Sequence, residues 1–233
     1  MHRLYDELKQ YSLDDAIDFE KSDRQFLALE KLHDNKLFDD VNYLFLTIAN
    51  ALVCYQLSGK GEDYWEEFGV ALEGQRIDDF SDIEMFFEDF LPASKNNKRF
   101  VNIKLKRIQK LEKFYNEFLQ NAEIYYADMN KLVHDLSNIM NQKSDAKTIV
   151  FSIKMFSYSA RNVFGYLEYF PKDMMIPIDS RLENLYKKYN TDIDHISKKD
   201  IQEFYMNLAK KLNIQPLHLD SILWVNYDEL MNV

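Results

Sequence analysis

Two residues whose chemistry suits catalysis stand where helices are expected to begin, and the first is Lys147. The polar segment 141–145 precedes it, so the pattern predicts a helix, a short turn and a second helix with Lys147 in its first turn. The partial positive charge of a helix N-terminus disfavours an ammonium group, and partial burial acts in the same direction. Both effects lower the pKa of this lysine and favour the free amine, which is the nucleophilic form.

The second residue is Asp179, at the end of the segment 176–179. Pro177 keeps the residue before it extended, and Ser180 with Glu183 predicts a capping box that begins the next helix. The free N–H groups of a helix N-terminus keep such a carboxylate ionised. An anion in this position can stabilise a cationic transition state or carry a proton.

A third candidate pair is Asp220 and Trp224, four residues apart and therefore on one face of a helix. An aspartate accepts hydrogen bonds from a guanine-like base while an indole stacks on its ring. Each candidate has a structural alternative: a surface lysine at 147, a helix cap at 179 and a core tryptophan at 224. His218 has no second His or Cys at a metal-ligand spacing. We expect it to be a hydrogen-bonding loop residue, and we expect neither a metal nor a cofactor.

The composition favours an all-α fold. The chain has 233 residues, 46% of them hydrophobic, but only 5 Gly and 4 Pro, fewer than turn-rich sandwiches and barrels usually need. The single cysteine, Cys54, excludes a disulfide framework and a four-cysteine metal or iron–sulfur site, and it fits a reducing compartment. Neither a signal peptide nor a membrane span of roughly 18 apolar residues is expected.

The charge of the chain is unevenly distributed. The net charge of −10 argues against nucleic acid as a partner. The segment 94–114, however, carries eight basic residues and one acid, so it holds +7 and the remainder −17. Such a stretch can bind a polyanion locally, and the alternative is a solvated helix face. The basic residues are Lys95, Lys98, Arg99, Lys104, Lys106, Arg107, Lys110 and Lys113.

Apolar residues recur at helical spacing along most of the chain. Residues 41–55 form one such pattern, with Asp39 or Asp40 as its cap and the segment 58–61 as its end. The β-branched run 148–153 also repeats at helical spacing, and we interpret it as helix because no partner strand is visible. A loop is predicted from Gly165 to Asp179. Capping residues predict three further helix starts, at Ser81 with Glu84, at Ser197 with Asp200, and at Asp220.

Four segments of the chain, taken in sequence order, resemble the archaeal 8-oxoguanine DNA glycosylase family (AGOG), within the helix-hairpin-helix DNA glycosylase superfamily. The matching region extends from about Gln25 to Trp224, nearly the whole chain. The resemblance implies one glycosylase unit built from two helical lobes, approximately residues 31–160 and residues 1–30 with 165–233, with the active site in the cleft between them. The matching segments are 50–61, 147–151, 176–179 and 216–220.

The resemblance also implies roles for individual residues. Lys147 corresponds to the family's nucleophile, directly after the hairpin that grips the DNA backbone, and Asp179 corresponds to its catalytic aspartate. Lys154, seven residues further along the same helix, is the rival nucleophile. The hairpin segment 141–145 lacks the Gly-x-Gly core of many superfamily members. The residues that correspond to the base pocket are Gln25, Trp65, Phe151, Asp220 and Trp224.

The function implied by the resemblance is base-excision repair by a bifunctional N-glycosylase and DNA lyase. The lysine would displace 8-oxoguanine and form a Schiff base, and β-elimination would then cut the strand. Two alternatives remain open: a related glycosylase for another lesion, and a non-catalytic helical module that binds DNA or protein. The implied partner is DNA containing oxidised guanine. The implied setting is the cytoplasm, in association with the nucleoid, as a monomer with no obligate protein partner and no membrane.

Overall fold

A computed structural model describes residues 2–190 and 197–232. Within these ranges every regular element is a helix and none is a strand, which confirms the all-α expectation. No helix in the same ranges is both long enough and apolar enough to cross a bilayer. In chain order the helices are α1 (His2–Leu8), α2 (Leu13–Ser22), α3 (Arg24–Asn35), α4 (Asp40–Val53), α5 (Gly61–Leu72), α6 (Phe80–Ala93), α7 (Val101–Lys110), α8 (Glu112–Ala127), α9 (Met129–Met140), α10 (Lys147–Phe164), α11 (Ser180–Tyr189), α12 (Lys198–Leu212), α13 (Pro216–Val225) and α14 (Tyr227–Asn232).

The chain divides into two compact units. The central unit comprises Arg24–Glu168 and holds α3 to α10. The terminal unit comprises Met1–Asp23 with Tyr169–Val233 and holds the other described helices. By this division Gln25 belongs to the central unit, whereas the resemblance groups it with residues 1–30.

Helix α4 forms the core of the central unit. Its residues 42–53 are all buried, and α10 packs against it, with α3 against α10 and α5 against α3. Phe45 of α4 lies within an aromatic cluster, with its ring centroid 5.1 Å from that of Tyr115 and 5.4 Å from that of Phe118. Close packing on a buried apolar helix holds α10, and with it the backbone of Lys147, in a defined position.

The start of α4 is as predicted, but its end is not. Asp39 caps the helix by accepting a hydrogen bond of 2.7 Å from the N–H of Asn42. The helix ends at Val53, ahead of the predicted stop at 58–61. The amides of residues 58 and 59 donate to the carbonyl of Asn96, at 2.8 and 3.1 Å. This contact with a distant loop holds the segment outside the helix, and Gly61 begins α5 instead.

Helix α6 begins before its predicted start. The carboxylate of Asp79 accepts hydrogen bonds from the N–H groups of Ser81 and Asp82, and the carboxylate of Asp82 accepts one from the Asp79 N–H. The predicted box of Ser81 with Glu84 is therefore wrong by two residues, because an aspartate just upstream makes the reciprocal pair.

The segments around the hairpin match their predictions. The run 148–153 lies inside α10, so its helical spacing outweighs its β-branched composition. Gly165 ends α10 in the left-handed conformation, at φ 73°, which glycine adopts without steric cost. The predicted loop follows, and α11 begins at Ser180.

The terminal unit contains one predicted cap and one error. Ser197 and Asp200 form the predicted capping box of α12. Asp220 is not a cap, because it lies inside α13, which begins at Pro216. A proline fits the first helical position, where its missing N–H has no partner to lose.

His218 is also misplaced by the sequence analysis. It is fully buried in α13 rather than in a loop. Its Nδ1 lies 2.7 Å from Oε1 of the buried Glu20 of α2, and the hydroxyl of Ser221 donates to the same oxygen at 3.2 Å. These polar contacts join α2 to α13 inside the terminal unit and give His218 a structural role.

Candidate active site

The hairpin between α9 and α10 is built without glycine. Asn141 ends α9 in the left-handed conformation, at φ 51°, a region in which asparagine is among the better tolerated residues. The N–H of Gln142 then donates to the carbonyl of Ser137 at 2.9 Å, which closes the helix end. Lys147 is the first residue of α10, and Ala146 before it provides no side-chain cap. The N–H of Ile149 donates to the carbonyl of Ala146 at 2.9 Å, whereas the N–H groups of Lys147 and Thr148 have no acceptor among the described residues and are left for solvent or a ligand.

Arg107 of α7 holds the two sides of the hairpin together. Its Nη2 donates to Oε1 of Gln142 at 2.8 Å and to Oγ1 of Thr148 at 3.0 Å. The hydroxyl of Thr148 also donates to Oε1 of Gln142, at 3.1 Å. Burial lowers the pKa of this guanidinium. The residue next to Lys147 is thus held by a side chain from a different helix.

Lys147 itself is exposed. The expectation that this residue is partly buried is therefore wrong. Among the described residues no carboxylate lies within ion-pairing distance of the Lys147 ammonium, and no acceptor hydrogen bonds to it. A side chain with these properties is sterically free to reach an incoming electrophile.

The thiol of Cys54 lies in the electrostatic field of two lysines. Burial raises the pKa of this thiol to about 12, while the positive charges of Lys104 and Lys147 act in the opposite direction. The thiol therefore stays protonated near neutral pH and is a poor nucleophile. Lys104 and Lys147 therefore both lie near the end of α4.

Lys104 is a second lysine of this region, and it is fully buried. Its ammonium donates to the side-chain oxygen of Asn97, whose Nδ2 donates to the carbonyl of Val53 at 3.1 Å. It also lies 5.0 Å from the ring centroid of Tyr55. Burial lowers the pKa of Lys104 to about 8. This residue of the basic segment 94–114 is therefore part of the interior rather than a solvated face.

Aromatic and amide groups of the central unit lie beside α10. Trp65 is fully buried, and its ring centroid is 6.2 Å from that of the half-buried Phe151, in an edge-to-face arrangement. Gln25 is 5% exposed, and its Nε2 would lie 3.4 Å from a Cβ placed on Gly61. Gln25 thus faces the start of α5, and Trp65 is one turn further along that helix.

Lys154, the rival nucleophile, differs from Lys147 in its surroundings. It is 3% exposed, and its Nζ lies 5.9 Å from the ring centroid of Tyr158. The geometry separates the two lysines clearly: Lys147 projects from the helix start into solvent, while Lys154 is enclosed two turns later.

In the terminal unit Asp179 is itself the cap of α11. Its Oδ1 accepts a hydrogen bond of 3.0 Å from the N–H of Leu182, so the predicted cap at Ser180 is wrong. Its Oδ2 has no hydrogen-bond donor among the described residues. Ile176 and Ile178 are buried in the apolar core of this unit, which fixes the arm that carries the aspartate. The carboxylate is half-buried and held in place.

Asp220 and Trp224 both lie on α13, as their spacing requires. Asp220 is 8% exposed, and its charge, like that of Asp179, adds to burial in raising the pKa of Tyr205. The two carboxylates therefore lie near the same tyrosine. The guanidinium of Arg181 stacks on Trp224, with its central carbon 3.7 Å from the ring centroid. One face of the indole is thus occupied.

Several residues of these regions did not emerge from the sequence. Arg107 and Lys104 are visible there only as members of a basic stretch, and the burial that distinguishes them depends on α7 packing in the central unit. Arg181 lies two residues after Asp179, and nothing in the sequence indicated that its guanidinium stacks on the indole of Trp224. No group of three His, Cys, Asp or Glu side chains that could hold a metal ion occurs in residues 2–190 and 197–232.

Comparisons with characterised proteins agree on one family. The chain is 40% identical over 204 residues to an N-glycosylase/DNA lyase of Methanopyrus kandleri. The aligned region covers 87% of this chain and 79% of the relative. The chain is also 40% identical over 225 residues to an N-glycosylase/DNA lyase of Thermococcus kodakarensis, with coverage of 95% and 82%.

A solved structure is similar as well. The crystal structure of an 8-oxoguanine DNA glycosylase from Pyrobaculum aerophilum, in complex with 8-oxoguanosine, superposes with a TM-score of 0.82 at 26% identity, over 97% of this chain and 86% of that one. The profile of the AGOG family, described as N-glycosylase/DNA lyase, matches residues 5–232. This chain therefore belongs to the AGOG family of N-glycosylase/DNA lyases.

Proposed function

We propose that this chain removes 8-oxoguanine from DNA and then cuts the strand at the abasic site. Membership of a family described as N-glycosylase/DNA lyase supports both activities, and the similar structure from Pyrobaculum aerophilum, named as an 8-oxoguanine DNA glycosylase, supports the substrate. The observation that carries the proposal is the exposed Lys147 amine, without an ion-pair partner in the described chain, at the first position of α10 directly after the hairpin.

In the proposed reaction the neutral amine of Lys147 attacks C1′ of the deoxyribose. The C1′–N9 bond breaks, and its electron pair leaves with the base, which takes up a proton. The nitrogen then loses a proton, its lone pair opens the C1′–O4′ bond, and O4′ gains a proton, which leaves a protonated Schiff base. Loss of a proton from C2′ finally expels the phosphate on C3′ and cuts the strand.

Asp179 is proposed to stabilise the positive charge that develops on the sugar. Helix α11 uses only Oδ1 of this carboxylate as its cap, which leaves Oδ2 for the substrate. The cap bond and the buried arm 176–178 limit the motion of this carboxylate. A fixed negative charge beside a developing cation lowers the barrier without reorganisation during the reaction.

The base-binding roles are proposed for the five residues carried over from the family. Trp65 and Phe151 offer an aromatic wall next to the buried amide of Gln25. Asp220 offers an acceptor for guanine N–H groups, and Trp224 offers the indole face opposite Arg181. Oxidised guanine differs from guanine by an N7–H donor and a C8 carbonyl, so an acceptor at N7 would discriminate between them.

Borohydride trapping tests the proposed nucleophile. Wild-type protein mixed with an 8-oxoguanine duplex should give a covalent adduct, because borohydride reduces the Schiff base to a stable amine. We expect Lys147→Gln to abolish the adduct, while Lys113→Gln, at an exposed lysine of α8, should trap like the wild type. An adduct that persists in Lys147→Gln but disappears in Lys154→Gln would transfer the role to the enclosed lysine.

Two competing functions are separated by further measurements. A glycosylase for another lesion would excise uracil or mispaired adenine faster than 8-oxoguanine from otherwise identical duplexes. A non-catalytic helical module would bind the duplex equally well as the wild type and as the Lys147→Gln variant, and neither protein would form an adduct. We also propose that the protein acts as a monomer on nucleoid DNA. Sedimentation of the protein with and without DNA tests this.

A further inference from the structure

The start of α7 exposes an apolar face within the basic segment 94–114. Phe100 is 55% exposed and Ile103 is 56% exposed, although both are large apolar side chains. They lie three residues apart, at the first turn of the helix, so they form one small patch. Neither residue has a role in the chemistry proposed above.

The backbone presents Phe100 in an unusual conformation. Its φ is 57° and its ψ is 34°, in the left-handed region that phenylalanine rarely occupies. The carbonyl of Phe100 accepts hydrogen bonds from the N–H groups of Ile103 and Lys104, both at 3.0 Å, so the residue is fixed to the helix start. A bulky residue held in this region indicates that the surrounding structure imposes the orientation.

The loop that precedes Phe100 is well supported. The carboxylate of Glu67 accepts hydrogen bonds from the hydroxyl of Ser94 at 2.9 Å and from the N–H of Lys95 at 2.7 Å. It also accepts from the backbone and side-chain amides of Asn96, at 3.2 and 3.0 Å. The aromatic ring therefore projects from a braced loop rather than from a loose one.

Positive charge surrounds this patch. Lys98, Arg99, Lys106 and Lys110 are all exposed, and none of them has a carboxylate within ion-pairing distance among the described residues. The exposed apolar side chain of Met85 has acidic neighbours instead. Met85, 53% exposed, lies on α6 with Glu88 and Asp89 three and four residues away, so its surroundings repel phosphate.

The patch is connected to the hairpin through α7. Ile103 and Arg107 are four residues apart on one face of α7, and Phe100 is the residue just before this helix. Arg107 donates to Thr148 beside Lys147. Phe100 lies seven residues before Arg107, about 10 Å along the helix. The central unit therefore carries the apolar patch and the four exposed cations at α7, and α7 in turn contacts the hairpin.

We propose that Phe100 enters the base stack of the DNA beside the target nucleotide while Lys98, Arg99, Lys106 and Lys110 contact the phosphates. This inference rests on the proposed function. Extruding a base leaves its neighbours unstacked, and an inserted apolar side chain fills such a gap. An aromatic ring stacks on any base without reading its sequence, and exposed cations hold the backbone against the same face.

Paired substrates test the role of Phe100. Phe100→Ala keeps the Cβ and so leaves the backbone conformation equally strained, but it removes the ring. We expect this variant to excise 8-oxoguanine from a duplex roughly 5- to 100-fold more slowly than the wild type in single-turnover reactions. On the same lesion in a single strand, where nothing must be unstacked, the loss should be less than about 2-fold. Phe100→Tyr should restore most of the duplex rate, and Met85→Ala is the matched control at an exposed apolar site.

A binding measurement separates this inference from the proposed function. A duplex with 2-aminopurine next to a tetrahydrofuran abasic analogue is not cleaved, and unstacking by an inserted ring raises its fluorescence. Wild type and Phe100→Tyr should raise the signal, whereas Phe100→Ala should bind without doing so. An equal loss on single and double strands, or a rise in fluorescence with Phe100→Ala as large as with the wild type, overturns the role of Phe100. If the wild type raises the fluorescence but excises no 8-oxoguanine, the proposed substrate fails and the role of Phe100 stands.

Discussion

Arg107 and Thr148 are joined by a hydrogen bond of 3.0 Å from the guanidinium to the hydroxyl. This contact places a half-buried cation of α7 one residue away from the proposed nucleophile. The Nε of the same guanidinium is buried without a partner among the described residues. Arg107 therefore carries an uncompensated burial cost while it fixes the hairpin, which is typical of a residue kept for positioning.

Replacing Arg107 should separate stability from rate. In Arg107→Met the lost hydrogen bonds are offset by removal of a half-buried charge, and Gln142 and Thr148 keep the hydrogen bond between them. We expect the free energy of unfolding to change by less than about 1 kcal/mol, whereas borohydride trapping should slow roughly 10-fold because the start of α10 is less well positioned. Urea unfolding and trapping time courses measure the two effects.

The control for this experiment is Arg76→Met, at an exposed arginine outside the helices. This variant should alter neither the free energy of unfolding nor the rate of borohydride trapping. A variant of Arg107 that unfolds much more easily but traps at the normal rate would assign the residue to the fold instead of to the positioning of Lys147.

Replacing each of two glycines by alanine should change the free energy of unfolding in opposite directions. A Cβ on Gly59 would lie 1.9 Å from Oδ1 of Asn96, whose amide group is held by Glu67, so the two loops would have to move apart. A Cβ on Gly69, inside α5, would meet nothing closer than 3.6 Å. We expect Gly59→Ala to lower the free energy of unfolding by about 1–3 kcal/mol, and Gly69→Ala to raise it by about 0.5–1 kcal/mol. Denaturant titrations of both variants check this, and a stabilising Gly59→Ala would contradict the close approach of the loops.

The sequence predicted where helices begin better than it predicted how deeply individual side chains are buried. The position of Lys147 in the first turn of a helix and the cap of α12 follow from local patterns, and both agree with the structure. The exposure of Lys147 and the burial of Lys104 do not follow from local patterns, because both depend on how α7 and α10 pack. Asp220 was misplaced because an aspartate before an apolar run is as compatible with a helix interior as with a cap.

Lys104 should give the stability of the protein a recognisable pH dependence. Burial lowers its pKa in the folded state to about 8, while the unfolded chain keeps the ordinary value near 10.4. Below pH 8 the folded protein bears the full cost of the buried charge. As pH rises from 8 towards 10.4 the folded state releases this proton before the unfolded state does, so stability should rise.

Lys104→Met isolates this contribution. The difference in the free energy of unfolding between wild type and variant should shift in favour of the wild type by about 3 kcal/mol at most between pH 7.5 and pH 10. Lys113→Met, at an exposed lysine, should show no such shift. Parallel curves for wild type and Lys104→Met would mean that the buried ammonium keeps its ordinary pKa.

Asp179 combines a structural and a proposed chemical task, and two substitutions separate them. Asparagine preserves an oxygen that can accept the Leu182 N–H, and it is as good an N-cap as aspartate, so Asp179→Asn should unfold like the wild type to within about 0.5 kcal/mol. It removes the negative charge, so single-turnover excision should fall by roughly 100-fold or more. Asp179→Ala loses the cap as well and should cost about 1 kcal/mol in addition. If Asp179→Asn excises the base at the normal rate, the aspartate is only a helix cap, and the stabilising charge must come from another residue.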